Sequence, residues 1–209
     1  MIKAIIFDFG RVISAQKPAS LFRGYEEDLG LAPGTLNRVM FGSPAWQEVL
    51  VGRKTSDEYW REIAPQVGLH TPEAIAAFRR RYHEDEAINP GVLAAIRRLH
   101  GRYKLAVLSN APAGLAGWLK DWGMLDFFDV VFCSAEEGVA KPDPAAFQRV
   151  LEQLGVAPEE AVFIDDSIGH VEAARALGLH GILFTTVEAM SDELEELLAR
   201  NTQYVKRET

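Results

Sequence analysis

The apolar positions of this chain fall into two styles. Near the N-terminus, Ala4 to Phe7 is an unbroken apolar run, suited to a parallel strand covered on both faces, and Asp8 follows where that strand ends. From about Ser14 to Ile88 the apolar positions recur only at helical spacing. Leu21, Tyr25 and Leu29 share one face of a first predicted helix, and Leu36, Val39 and Met40 mark a second. Thr55-Ser56-Asp57-Glu58 has the form of a capping box, after which Trp60, Ile63, Ala64 and Val67 follow the helical repeat. Thr71-Pro72-Glu73 starts another helix, with proline at the first helical position, and its Arg79-Arg80-Arg81 reads as a solvated face.

After Asn89-Pro90-Gly91, helices and strands alternate. Val92, Ala95, Ile96 and Leu99 predict a helix, and Lys104 to Leu108 a strand ending in Ser109-Asn110. A helix with Leu115, Trp118 and Leu119 and a strand at Val130 to Phe132 come next. Asp143-Pro144 opens a helix carrying Phe147, Val150, Leu151 and Leu154, and Ala161 to Ile164 is a strand ending in Asp165-Asp166. A short helix with Val171, Ala174 and Leu177 ends near Gly178. Gly181 to Phe184 is a last strand, and Leu194, Leu197 and Leu198 lie on a final helix before a polar tail, 201–209, expected to fray. This alternation predicts an α/β fold, a doubly wound parallel sheet with helices on both faces.

The first two strands are about 95 residues apart, whereas a βαβ unit takes roughly 30 residues. The helical stretch is therefore expected to be an inserted subdomain, residues 15–87, on a core of residues 1–14 and 88–209. Its junctions lie near Asp8, so it is placed to cover the crevice that open α/β sheets form beyond the carboxyl ends of their strands. Gly10 is expected to permit a tight turn or the close approach of a ligand.

Composition narrows the function. The chain has 209 residues, 48% of them hydrophobic, ample for a sizeable core. A net charge of −8 disfavours nucleic acid or an anionic membrane as partner. It leaves room for a small anionic substrate, which a few local cations and backbone N–H groups can hold. Cys133 is the only cysteine, so no intramolecular disulfide is possible and a reducing compartment is expected. The N-terminal apolar run is too short for a signal peptide, and no stretch has the apolar length of a membrane span. A cytoplasmic location is expected, and the pattern carries no signal for an oligomeric state.

The polar strand ends carry the chemistry. Asp8, Ser109-Asn110 and Asp165-Asp166 all fall at the ligand edge, and a loop adds Lys141-Pro142. Singly these are ordinary helix caps or surface residues. Together, three carboxylates round one crevice would repel one another unless a cation held them, and a hard ion such as Mg²⁺ suits oxygen ligands. Lys141, Ser109 and turn N–H groups would receive a phosphoryl group beside it, and the remaining carboxylate could attack phosphorus.

In these residues the chain resembles the haloacid dehalogenase-like hydrolase superfamily. The motifs that carry the resemblance are Phe7-Asp8-Phe9-Gly10-Arg11-Val12, Leu108-Ser109-Asn110, Lys141-Pro142-Asp143 and Ile164-Asp165-Asp166-Ser167, in that order. The resemblance implies that the helical insertion is a cap of the kind placed early in the chain. It implies Asp8 as nucleophile and metal ligand, with the Gly10 carbonyl and Asp166 as further ligands and Asp165 acting directly or through water. Ser109, the Asn110 N–H and Lys141 would hold phosphoryl oxygens, and Mg²⁺ would be the cofactor. The implied reaction is hydrolysis of a small phosphorylated metabolite through an aspartyl phosphate.

Gly10 departs from the family pattern, which usually has a second aspartate there as general acid and base. Such help is typically worth 10²–10⁴-fold. The substrate could then be one with a good leaving group, such as a sugar phosphate, or the cap could supply the proton through Glu48 or His83. Two alternatives stand beside the phosphatase: a weakly active or non-catalytic binding module, and a metal-free 2-haloacid dehalogenase, against which Asp165 and Asp166 argue. Trp46-Gln47-Glu48 and Gly52-Arg53-Lys54 are candidates for a specificity loop, although Trp46 fits a core position. Arg11 could meet a substrate anion or pair with an acid. His170 reads as a helix-surface residue, and Cys133 as structural.

Overall fold

The structure, a computed structural model, describes the backbone of residues 1–205 and the side chains of residues 1–199. Five strands, β1 (Ala4–Phe7), β2 (Lys104–Ser109), β3 (Val130–Cys133), β4 (Ala161–Asp165) and β5 (His180–Leu183), form one parallel sheet in the order β3-β2-β1-β4-β5. Side chains alternate across it as strand geometry requires. Ile5, Phe7, Leu105, Val107, Val162 and Ile164 face one apolar layer. Ala4, Ile6, Ala106, Leu108, Ala161 and Phe163 face the other. Both layers are covered by helices, so the strands are continuous apolar runs.

Five α-helices lie between Ile13 and Ile88: α1 (Ala19–Asp28), α2 (Thr35–Phe41), α3 (Pro44–Leu50), α4 (Ser56–Ile63) and α5 (Pro72–Glu84). They bury a separate cluster centred on Tyr25, Leu36, Ile63 and Phe78. The capping box forms as expected: Thr55 Oγ1 accepts from Glu58 N at 3.2 Å, and Glu58 Oε2 accepts from Thr55 N at 2.8 Å. The chain leaves the sheet after Ile13 and returns at Ile88 through one antiparallel bridge between Ser14 and Ile88. Ala15 N donates to Ala87 O at 2.7 Å and Asn89 N to Ile13 O at 2.8 Å, which ties the two crossing strands together.

The remaining helices are α6 (Pro90–Leu99), α7 (Leu115–Asp121), α8 (Ser134–Glu137), α9 (Pro144–Leu154), α10 (Ile168–Ala176) and α11 (Val187–Val205). α6, α7 and α11 pack on the first layer, α9 and α10 on the second. Among the described residues no helix is long and apolar enough to cross a membrane.

Three details differ from the sequence reading. Trp46-Gln47-Glu48 belongs to a helix, α3, because Ser43 caps it and Pro44 opens it. Two of the three consecutive arginines have specific partners: Arg79 pairs with Asp57, and Arg81 with Asp28. The helical backbone of α11 continues through Val205, past the expected frayed start at Asn201, while residues 206–209 lie outside the described residues.

Candidate active site

The sheet register puts the first and fourth strands' acids side by side. Phe7 aligns with Val107 on one side and Ile164 on the other, so Asp8 and Asp165 leave the sheet together. Asp8 N donates to Ile164 O at 2.8 Å, fixing Asp8 at the exit. A wide turn, Phe9–Ile13, follows and is closed by Ser14 N donating to Phe9 O at 2.8 Å. Within it Gly10 has an ordinary φ of −66°, and the left-handed conformation falls on Arg11, φ 63°. Glycine is therefore not demanded by the backbone at position 10, which leaves the close approach of a ligand as the expected use of Gly10. A Cβ there would have no neighbour within 4 Å.

Lys141 lies at the centre of the site. Its ammonium is completely buried and sits 2.8 Å from Asp8 Oδ1 and 2.6 Å from Asp165 Oδ2, over the Phe163 ring. Asp8 Oδ1 also accepts from Phe9 N at 2.8 Å. Burial raises the Asp8 pKa, with Lys141 pulling the other way and Asp165 adding to the rise. Burial also acts to raise Asp165, but His170 and Lys141 outweigh it and hold its carboxyl below the usual range. For Lys141, burial lowers the pKa and the two carboxylates reverse that, leaving it above the usual lysine value.

The loop carrying Lys141 is held by Asn110. Its side-chain Nδ2 donates to Lys141 O at 2.8 Å and its Oδ1 accepts from Lys141 N at 2.8 Å. This reciprocal pair was not legible in the sequence, where Asn110 contributed only its N–H. Ser109 ends β2 beside it, buried at 3% exposure, and lines a crevice with Asn110.

Asp165 is saturated. Its Oδ1 accepts from Ser167 N at 2.8 Å, its Oδ2 from Lys141, and the His170 imidazole lies 3.1 Å from both oxygens. An ionised carboxylate only accepts, so His170 Nδ1 carries the proton. His170 is thus a partner of the acid pair and not the plain helix-surface residue its sequence suggested. Asp166, half-buried, pairs with Arg11 at 2.8 Å, and burial raises its pKa. Arg11 therefore meets an acid, one of the two roles open to it.

The donor atoms of Asp8, Asp165 and Asp166 all lie within 4.8 Å of one another. Three carboxylates face two cations, Lys141 and Arg11, so the cluster keeps one net negative charge. An all-oxygen anionic cluster of this kind fits a hard divalent ion. Asp8 and Asp166 are the more available ligands, because Asp165 already satisfies three nitrogen donors.

Other candidates separate. His83 lines the crevice, packed edge-on against Trp118 at 5.1 Å between ring centres. Glu48 is exposed, pairs with Lys54 at 3.0 Å, and lines neither crevice at Gly10. The Gly52-Arg53-Lys54 loop does not reach these crevices either. A Cβ on Gly52 would come within 2.1 Å of Ala135 O, so that turn is pressed against the core beside β3. Cys133 is buried, with its Sγ donating to Ala111 O and Pro112 O, and is structural.

Known proteins carry the same arrangement of sequence and fold. A family model described as haloacid dehalogenase-like hydrolase matches residues 2–178. Sesquiterpene phosphatase astK of Aspergillus oryzae is 30% identical over 203 residues, covering 94% of this chain and 96% of the relative. Phosphorylated carbohydrates phosphatase of Thermotoga maritima is 29% identical over 223 residues, covering 99% and 95%. Three further curated relatives are longer proteins, of which this chain matches 37%, 19% and 39%. Among solved structures, a HAD-like family hydrolase from Porphyromonas gingivalis superposes with a TM-score of 0.74 at 25% identity, covering 95% of this chain and 98% of that one.

Proposed function

This chain belongs to the haloacid dehalogenase-like hydrolase family, and on that footing we propose that it is a Mg²⁺-dependent phosphomonoesterase with Asp8 as nucleophile. One observation carries the reading: a buried carboxylate at a strand end paired 2.8 Å from a buried ammonium, beside two more carboxylates. Two relatives in the comparisons are named phosphatases, one for a sesquiterpene and one for phosphorylated carbohydrates, which supports the reaction and leaves the alcohol open.

Residues 15–87 act as the cap in this reading, and Asp8, Asp166 and the Gly10 carbonyl hold the metal, with Asp165 behind them. Mg²⁺ held by these residues would supply positive charge to offset that of the phosphate. Ser109, the Asn110 N–H and Lys141 bind the non-bridging oxygens. A carboxylate oxygen of Asp8 attacks phosphorus, the ester P–O bond breaks, and the leaving alkoxide takes its proton from solvent water at the crevice. Water then attacks the same phosphorus, the acyl phosphate bond breaks, and Asp8 is regenerated with inorganic phosphate. Lys141 lets an anionic nucleophile approach an anionic phosphate, the charge problem that dominates phosphoryl transfer. Asp165 keeps Lys141 in place, while Asn110 fixes the backbone that carries it. Gly10 can do no proton transfer. His83 is one residue of the helical insertion on the crevice able to do so, beside Glu84 and Glu86, and burial of its packed side lowers its pKa, which favours the neutral form that takes a proton from the attacking water.

Phosphate release from acetyl phosphate and a panel of phosphomonoesters tests this. Release is expected with Mg²⁺ and is expected to vanish in EDTA and in Asp8→Asn. Metal-independent turnover of a 2-haloacid, or full phosphatase activity in Asp8→Asn, contradicts it.

A further inference from the structure

We propose that the alcohol this enzyme releases is large and apolar, held in an aromatic crevice between the helical cap and the sheet edge. The inference rests on the phosphatase reading and adds the class of leaving group.

Two cavities open at Gly10, of about 750 and about 640 Å³. The larger has a mixed lining, Arg11, Lys17 and Arg23 beside Phe22, Phe41 and Tyr82, and of the site loops it reaches only the one after β1. The smaller reaches both site loops, Phe9-Gly10 after β1 and Ser109-Asn110 after β2. A phosphoryl group seated between those loops would extend its alcohol into the smaller cavity, whose volume falls in the usual range for a small-molecule site.

The walls of that cavity are aromatic. Phe9, Trp118 and Trp122 form the core side, and Phe41, Trp46 and Tyr82 the cap side. Phe9 stacks on Trp122 at 5.4 Å, and Phe41 meets Trp46 edge-on at 5.3 Å, so the rings support one another. All but Phe9 are only half-buried. A concentration of partly exposed large rings in one cleft marks a binding surface.

Three polar groups of the same cavity, Arg79, Glu86 and the Tyr59 hydroxyl, are engaged by protein partners, while His83, Glu84 and Asp121 sit at its exposed rim. Arg79 donates to Asp57 Oδ1 at 2.6 Å and to Ser56 Oγ at 3.2 Å. Glu86 pairs with Lys17, and the Tyr59 hydroxyl donates to Met40 O at 2.6 Å. Glu84 and Asp121 are solvent-exposed. A carbohydrate in this cleft would leave several hydroxyls short of partners, a desolvation cost that an alkyl or prenyl chain does not carry. Such a chain gains from every methylene it hides.

The test is a series of ethyl, butyl, hexyl and octyl phosphate, with glucose 1- and 6-phosphate and acetyl phosphate, all with Mg²⁺. The proposal expects kcat/KM to climb about fourfold per added methylene until the cavity is filled. It also expects both glucose phosphates to fall at least about tenfold below hexyl phosphate. Trp118→Ala and, independently, Trp46→Ala should lower the octyl-to-ethyl ratio, a readout taken within one preparation and so insensitive to its folded fraction. A flat series or a preference for glucose phosphates, with acetyl phosphate still hydrolysed, overturns the apolar alcohol and leaves the phosphatase standing. No hydrolysis even of acetyl phosphate overturns the phosphatase reading and this proposal with it.

Discussion

The floor of the site and the crevice above it are built on opposite principles. On the floor every carboxylate has a partner, with one net negative charge left for a metal: Lys141 holds Asp8 and Asp165, His170 backs Asp165, and Arg11 meets Asp166. Above it, rings contributed by the inserted helices and by the sheet side leave apolar area open to the cleft. The floor can serve any phosphoryl group, because it recognises charge and geometry that all phosphomonoesters share. The crevice can discriminate, because its chemistry suits some alcohols and not others. Changes to the floor should therefore alter rate or stability for every substrate, and changes to the cleft should alter ratios between substrates.

The largest effect is expected from Asp8→Asn. Loss of a nucleophile costs on the order of 10⁵-fold or more, so steady-state phosphate release should fall to background for all substrates alike. A variant that spared one substrate would break the separation between floor and cleft.

Lys141→Met comes next. It leaves Asp8 and Asp165 buried without their cation, and removing one partner of such a pair typically costs about 3–5 kcal/mol. In the parent protein the depressed pKa of Asp165 gives stability that is present above its unfolded pKa and lost as pH falls through the folded value. In the variant Asp8, already raised by burial, loses the cation that opposes the rise, so its protonation relieves the variant more than the parent. Urea denaturation in EDTA should show the variant's deficit shrinking from pH 8 to pH 5.

Gly10→Asp should act at the boundary between floor and cleft. The backbone at Gly10 is ordinary and space is free around a new Cβ. A general acid there is expected to speed alkyl phosphate hydrolysis by roughly 10²-fold, with little gain for acetyl phosphate, whose leaving group needs no proton. Comparison of kcat on the two substrates checks it. The smallest effect belongs to Arg11→Ala. Arg11 is exposed and its pair with Asp166 is worth at most about 1 kcal/mol. Mg²⁺ titration of activity should show apparent affinity tightening by about fivefold or less as Asp166 is released.

The same contrast explains what the sequence disclosed. The α/β core was legible because Ala4–Phe7, Lys104–Ser109 and Ala161–Asp165 are apolar runs ending in polar residues, a signal that is local. Asp8, Lys141, Asp165 and Asp166 converge as that pattern implies, since parallel register forces strand ends together. Two partners stayed hidden. Asn110 grips the Lys141 backbone from 31 residues away, and nothing in either residue type announces it. His170 lies in the first turn of α10, five residues beyond the strand-end Asp165, where its residue type alone reads as helix surface. The turn after β1 places its one left-handed residue at Arg11 and not at the neighbouring glycine, a detail that residue type did not disclose. The cleft was the least legible of all. Its rings come from Phe9, Phe41, Trp46, Tyr82, Trp118 and Trp122, each of which reads alone as core.

Asp8 as the group that takes the phosphoryl from its ester is the centre of the account, and a trapped intermediate tests it most directly. The protein would be mixed with a turned-over phosphomonoester and Mg²⁺, quenched in acid within one turnover, digested, and mapped by mass spectrometry. The account predicts a hydroxylamine-labile phosphoryl group on the peptide containing Asp8. A stable phosphoryl group on another residue, or turnover with no labelled peptide at any quench time, would contradict it.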